Sequence, residues 1–500
     1  MRPRRSFIFS GTLRLCAFAM SGWLALTSAA QAAGAPLGFD DARHLLNRTS
    51  FAANAEDIHA FARLTREQAA ERLLGWARKP PVTAPPAWVD APFESPRQMR
   101  MMGEEERKAF QREQFEKGIE LRAWWLTEML TTSSPFTEKM TLFWHNHFVS
   151  SQQKVRSPQL MYRQNVLLRR HALGNFGQLL HAVAKDPAML IYLDGVSSRK
   201  GQPNENFARE VMELFTLGEG AYGEQDIKEA ARAFTGWSLD PRGGEFVFRR
   251  ALHDDGVKTV LGRSGRLDGE AVLDILLAQP QTAEFVVAKL WREFVSPRPD
   301  AQEVKRIARV FRDSGYEIRA ALRALLVSDA FYARENRASL IKSPVDLVVG
   351  TLRQFGFSTG EVLPFVFATS GLGQNLFAPP NVRGWPGGEN WINSSTLLGR
   401  KAFLERLFRV DETRAMLAAA AGGMERAKGT GRLTDGRERF LRAMMDVSFD
   451  GPGWLARFQG DAAALQRVVL AAAPVTAPPA GMQGMDLIRH LTMDPVYQLK

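Results

Sequence analysis

The sequence is nearly without cysteine. Its one thiol, Cys16, falls within the first 32 residues, and a chain that matures near Ala33 carries none. Disulfides, thiolate metal ligands and a cysteine nucleophile are thereby excluded from the mature protein. Long apolar runs are also missing. The longest, residues 15–26, is too short to cross a bilayer, so no stable membrane span is expected. The first 32 residues contain no Asp or Glu. Of the chain's 65 Lys and Arg, Arg2, Arg4, Arg5 and Arg14 stand there, which leaves 61 basic against 54 acidic residues, an excess of 7, for the rest. Both signs are interspersed from Ala33 onward, so the formal charge of +11 does not describe a nucleic-acid-binding stripe. Strand patterns are rare, and no repeat of fixed period is visible.

The 500 residues are 45% hydrophobic and 24% charged, a composition with enough apolar mass to fold rather than remain disordered. Residues 1–32 read as an export signal: a basic start, an apolar stretch, and a small-residue cleavage site at Ala30-Gln31-Ala32. Arg4-Arg5-Ser6-Phe7-Ile8 resembles a twin-arginine signal, although Arg14 beside the apolar stretch leaves the ordinary secretory route open. The expected location is periplasmic or secreted.

Beyond the signal the apolar spacing is helical almost throughout. Thr65-Arg66-Glu67-Gln68 has the form of a capping box, and Pro80-Pro81 stops the helix it opens. Residues 103–117 are densely charged and run into Leu121, Trp124, Trp125 and Met129, as one long helix half in solvent and half in the core. Residues 205–217 read as one continuous helix. Glu245 to Phe248 alternates briefly and predicts a hairpin beside Gly243-Gly244. The fold expected is mainly α: one large multi-helix body, a short β element near Phe246, and a Pro/Trp-rich loop lining a cavity. Its divisions are 1–32 as signal, 33–410 as helical core, and 411–500 as an Ala/Gly-rich, variable helical appendage with a terminal helix.

Four segments carry groups capable of chemistry. In Trp144-His145-Asn146-His147-Phe148 the two histidines lie about 200° apart around a helix, so they cannot share one metal there. His147 falls on the aromatic row and is either a core histidine satisfied by hydrogen bonds or a ligand or general base. In the helix after Asn204, side chains Asn206, Glu210 and Glu213 fall within about 60° of one another at 100° per residue, which suits a cation or a polarised water. An ordinary solvated face explains the same stripe. His253-Asp254, followed by Lys258, is either a metal-ligand pair or an Asp-Gly turn closed by a salt bridge. Residues 375–393 cannot be regular helix, because Pro379, Pro380 and Pro386 remove donors and restrict their neighbours. Its Trp385 and Trp391, with Asn381 and Arg383, could bind a glycan, or the rings could plug the helix bundle.

Taken in order, His145-Asn146-His147-Phe148, Asn204-Glu205-Asn206-Phe207-Ala208-Arg209-Glu210, Thr235-Gly236-Trp237, His253-Asp254 with Lys258-Thr259, and Pro379-Pro380-Asn381-Val382-Arg383-Gly384-Trp385 resemble the bacterial domain-of-unknown-function family numbered eighteen hundred. The resemblance runs from about Gly38 to Gln498. It implies an exported, mainly helical protein and an exported sulfatase-like partner, and it assigns no catalytic residue. Three functional expectations follow. The first is a metal-dependent hydrolase that gathers Glu210, Glu213 and His147 as catalytic groups, with a divalent metal on His147, His253 and Asp254. The second is a non-enzymatic periplasmic binding or assembly protein. The third is a metal-free glycan-acting enzyme, using Glu210 or Glu213 as acid or base and Trp385 and Trp391 as sugar platforms.

Overall fold

Helix after helix in this chain opens on a side-chain cap, in most cases followed by proline or an acidic first turn. Ser157, Asn175, Asp186, Asp268, Asp300 and Ser343 each accept a hydrogen bond from the first turn they precede. Such caps satisfy backbone donors that a helix start leaves unpaired, and each contributes roughly 1 kcal/mol. The Thr65–Gln68 box forms in both directions, at 3.0 and 3.3 Å. The computed structural model describes residues 34–76, 81–91, 101–409, 443 and 446–500. The export signal and residues 410–442 of the expected appendage lie outside the described residues.

The long helix α1 (Glu104–Thr131) runs as the charge pattern predicts: Phe115 is exposed, whereas Leu121, Trp124, Trp125 and Met129 are buried. Helix α2 (Pro135–His147) is buried on every side, so its charged residues need internal partners. Glu138 receives two hydrogen bonds from the Arg169 guanidinium, at 2.7 and 2.9 Å, and one from the Trp125 indole at 2.9 Å. Lys139 is taken up by Asp346, described below. The other elements that position the site are α3 (Glu205–Glu210), α4 (Pro280–Phe294) and α5 (Pro344–Phe355). Pro280 cannot continue the helix Gly269–Ala278, and α4 leaves it at 75°.

One helix departs from expectation. Residues 205–217 are not uniformly α: after α3 the chain widens into a π-helical segment, Val211–Thr216. Here Leu217 N donates to Met212 O at 2.7 Å and Thr216 Oγ1 to Val211 O at 2.6 Å, both five residues back. A π segment costs packing and hydrogen-bond geometry relative to α, and such segments often stand at functional sites.

The fold is mainly α, and the β structure consists of two small antiparallel hairpins among the described residues. β1 (Trp237–Leu239) pairs with β2 (Phe246–Phe248), Leu239 opposite Phe246, on either side of the expected Gly243-Gly244 turn. A second hairpin, β3 (Lys258–Val260) with β4 (Arg263–Gly265), was not expected. Its two-residue turn is Leu261-Gly262, both at positive φ, where the usual signal is an Asn-Gly or Asp-Gly pair. Leu261 is held there by its N–H, which donates to Asp226 at 2.8 Å.

The described residues beyond 445 pack into the main core. Trp454 is buried against Phe355, ring centroids 4.7 Å apart, and its indole donates to Gln354 O at 3.1 Å. Gln354 in turn donates to Val468 O at 2.9 Å. Among the described residues no single helix is long and apolar enough to cross a membrane.

Candidate functional site

The two histidines at the end of α2 diverge, as helical geometry requires. His145 is 1% exposed, among Trp125, Phe377 and Trp385, and burial lowers its pKa to about 4. His147 lies on the opposite side among Phe148, Phe176 and Phe215. Its Nε2 stands 3.1 Å from Phe215 O and its Nδ1 3.1 Å from Lys289 Nζ. A carbonyl only accepts, so Nε2 carries the proton and Nδ1 accepts from the lysine. Lys289 also donates to Leu214 O at 3.0 Å. His147 and Lys289 thus satisfy carbonyls in the last turn of the π segment. Burial, reinforced by Lys289, holds the imidazole well below its ordinary pKa. Burial, with Arg292 nearby, brings the Lys289 amine down to about 7.

The stripe that begins on α3 keeps Glu210 and Glu213 as neighbours across the change of helix type and loses Asn206. At π geometry Glu213 no longer follows Glu210 by 100° per residue. Glu213 accepts from Tyr222 Oη at 3.0 Å and from Arg383 Nη2 at 2.9 Å, and Arg383 also reaches Glu219 at 3.0 Å. Glu210 sits half-buried beside it, its pKa raised by burial and by the Glu213 charge. Asn206 turns elsewhere, its amide donating to Leu193 O at 3.3 Å.

His253 and Asp254 form a third, separate cluster. Asp254 is gripped by the Arg232 guanidinium at 2.8 and 3.2 Å, and those bonds hold its carboxyl down at about 2. His253 Nδ1 stands 2.9 Å from Thr235 O. Among the described residues Lys258 forms no ion pair with Asp254 or Asp255, although its charge helps lower the Asp254 carboxyl. Its amine donates to backbone carbonyls of Asp254, Gly256 and Leu267, while Asp255 pairs with Lys200 at 3.1 Å. The Thr235-Gly236-Trp237 turn belongs to the same brace: Gly236 has φ +85°, and a Cβ there would lie 2.8 Å from Arg249 O.

The expected metal set of His147, His253 and Asp254 is therefore not assembled. Each nitrogen of His147 is spent on a protein partner, and Asp254 on an arginine. Among the described residues no group of three or more His, Cys, Asp or Glu is arranged to hold a metal ion. Of the groups expected to converge on one cavity, only His147 lines the one described next, while Glu213 is paired with Arg383 and Asp254 with Arg232.

A cavity of about 750 Å³ does form, bounded by α2, α4, the start of α5 and the Pro/Trp-rich loop. Asn146, the residue between the histidines, fastens that loop. Its Oδ1 accepts from Trp385 N at 2.7 Å, and its Nδ2 donates to Trp385 O at 3.4 Å. The neighbouring Gly384 has φ +82°, and a Cβ there would fall 2.2 Å from Asn146 Oδ1. Two motifs far apart in sequence therefore depend on each other, and only glycine fits between them. Asn381 is used locally, its Oδ1 accepting from Arg383 N at 2.9 Å. Trp385 and Trp391 line the cavity but are only 4% and 7% exposed. Rings so deeply buried fit the plug reading better than the sugar platform.

The cavity floor is ionic. Asp346 receives Lys139 Nζ at 2.6 Å on one oxygen and Lys500 Nζ at 2.7 Å on the other, with Glu293 3.4 to 3.5 Å from both amines. Burial alone would raise the Asp346 carboxyl, but the two lysines outweigh it and hold the group well below the carboxylate range. These charges neutralise one another. Lys289 and Arg292, three residues apart on α4, differ: both line the cavity, and among the described residues neither has a carboxylate within ion-pair distance. Sequence reasoning passed over Lys139, Lys289, Arg292, Asp346 and Lys500. A signal existed for three of them, since Lys139, Lys289 and Asp346 are charges set inside apolar helical segments.

Residues 44–499 match the model of a family described as Protein of unknown function (DUF1800). No curated protein and no solved structure matches the chain.

Proposed function

The chain belongs to the DUF1800 family, and from that premise we propose that it is an exported protein whose cavity binds an acidic saccharide without needing a metal. The observation that carries this reading is the pair Lys289 and Arg292. They stand one helical turn apart, face one cavity, and lack a carboxylate partner among the described residues. Arg292, exposed on the cavity wall, stays charged, and an anionic ligand supplies a partner for it. The same walls carry Gln374 and Asn390, whose amides are each held at one atom by the backbone and keep the other, Nε2 and Oδ1, suited to a hydroxyl. A volume of about 750 Å³ is of the size that takes a ligand of a few rings. Export rests on the pattern of residues 1–32, and a sulfatase-like exported partner on the family resemblance.

Of the earlier readings, the metal-dependent hydrolase has the least support, because its ligands are committed elsewhere. The acid–base role of Glu210 and Glu213 is weakened likewise: neither lines the cavity, and Glu213 touches it only through Arg383. Calorimetric titration of the mature protein with glucuronate, galacturonate, N-acetylmuramate and their neutral counterparts tests the proposal. Acidic sugars should bind, Arg292→Met should weaken them about tenfold or more, in line with loss of a charge-assisted bond, and added salt should weaken them too. Equal binding of neutral and acidic sugars, or none of either, overturns it.

A further inference from the structure

Lys289 does more than bear charge. Its Nζ lies 3.1 Å from His147 Nδ1 and 3.0 Å from Leu214 O. Both are acceptors, because the proton of His147 is committed at Nε2 to Phe215 O. A neutral amine has two N–H bonds and one lone pair. Here the two acceptors take both hydrogens, and the lone pair is left uncommitted on the amine of a residue that lines the cavity. Phe285, with its ring centroid 4.7 Å away, shields the amine on one side. The arrangement orients a nucleophile rather than merely hiding a cation.

We propose that Lys289 forms an imine with a carbonyl compound that also carries an anionic group, the anion resting on Arg292. This rests on the reading of the cavity as an acidic-ligand site, and the open-chain form of an acidic sugar is one such carbonyl. The nitrogen lone pair attacks the carbonyl carbon, and the C=O π electrons pass to oxygen, which takes a proton. The nitrogen loses its two protons, the hydroxyl departs as water, and a C=N bond remains. One amine and one carbonyl give one imine and one water, with no change of oxidation state. His147 is a positioning residue in this scheme, since it accepts from the amine and touches no substrate. The depressed pKa of the amine agrees with the geometry, because an attacking lysine must be neutral.

The test is trapping. The full-length mature protein is incubated at pH 7 with 4-formylbenzoate or with benzaldehyde, reduced with cyanoborohydride, digested and mapped by mass spectrometry. Reduction converts the imine to a stable secondary amine. Lys289 should be labelled by 4-formylbenzoate at least about tenfold faster than Lys401, which lies exposed on the surface, because an oriented nucleophile reacts faster than a freely moving one. Benzaldehyde, which lacks the anion, should label it more slowly. Lys289→Met should fold, as a thioether of similar length fits a buried wall, and should lose the adduct. His147→Gln keeps an acceptor near the amine and should retain part of the rate. If Lys289 reacts no faster than Lys401, the nucleophile is refuted. If both aldehydes label Lys289 equally fast, the nucleophile stands and the acidic-ligand reading falls.

Discussion

Replacing Asp346 by Asn removes the one buried carboxylate that joins the two lysines of the cavity floor. Asp346 is 1% exposed and accepts one amine on each oxygen, at 2.6 and 2.7 Å. Asn keeps one acceptor but turns an NH2 toward the other lysine, donor against donor. Each charge-assisted bond is worth roughly 1.5 to 3 kcal/mol, and leaving one partner of a buried pair uncompensated costs about 3 to 5 kcal/mol. Glu293, 3.4 to 3.5 Å from both amines, offsets part of this loss, which puts the expected destabilisation at the lower end, about 3 kcal/mol. Asp346 also accepts from Ser343 N in the capping box of α5, a bond of 3.2 Å that Asn can retain. Urea denaturation of the mature protein measures the effect. A pH series adds a signature: the native carboxyl lies below its unfolded value near 3.9, so its contribution is complete above that pH and is lost as the pH falls toward the folded value. Asp346→Asn should abolish this dependence. Combined with Asp346→Asn, the change Lys500→Met should cost less than it does in the parent, since it removes an amine that no longer has a carboxylate. A destabilisation below about 1 kcal/mol with the acid dependence intact would refute the reasoning, given the range for broken buried pairs.

Trp385→Ala, at a ring 4% exposed, should cost about 3 to 5 kcal/mol in thermal or urea unfolding; near-parental stability would return the ring to the role of ligand platform. Gly384→Ala should destabilise the protein and loosen the Pro/Trp-rich loop, read as faster amide exchange at Trp385, because the added Cβ meets Asn146 Oδ1. Lys289→Met should remove a rise of stability with pH. The unfolded amine holds its proton up to about 10.4 and the folded one only to about 7, so between these values folding sheds a proton and gains with pH. Arg4 and Arg5 changed together to Lys should block export if the twin-arginine route is used, and an intact Met1 on periplasmic protein would reject cleavage near Ala33.

Local chemistry wrote much of the fold into the sequence. Caps such as Thr65, Ser157 and Ser343 act over three residues, and proline acts on its immediate neighbours, so both can be read without knowing what packs where. The amphipathic switch within α1 and the turn at Gly243-Gly244 are legible for the same reason. The opposite orientations of His145 and His147 follow from helical geometry alone. What lay beyond reach depends on partners distant in the chain. The π segment at Val211–Thr216 forms in a stretch whose amphipathic pattern reads as α, and its last carbonyls find donors 68 and 75 residues away, in His147 and Lys289. The Leu261-Gly262 turn is fixed by Asp226, 35 residues upstream. Whether Glu213, Asp254 or His147 is free for chemistry could not be read from spacing, because a polar atom is free or spent according to what tertiary packing brings against it. Here Arg383, Arg232 and Lys289 claimed those groups. The cavity itself has no local cause: it exists because Asn146 ties residues 384–385 to the end of α2 while Lys139, Glu293, Asp346 and Lys500, scattered over the chain, neutralise one another beneath it.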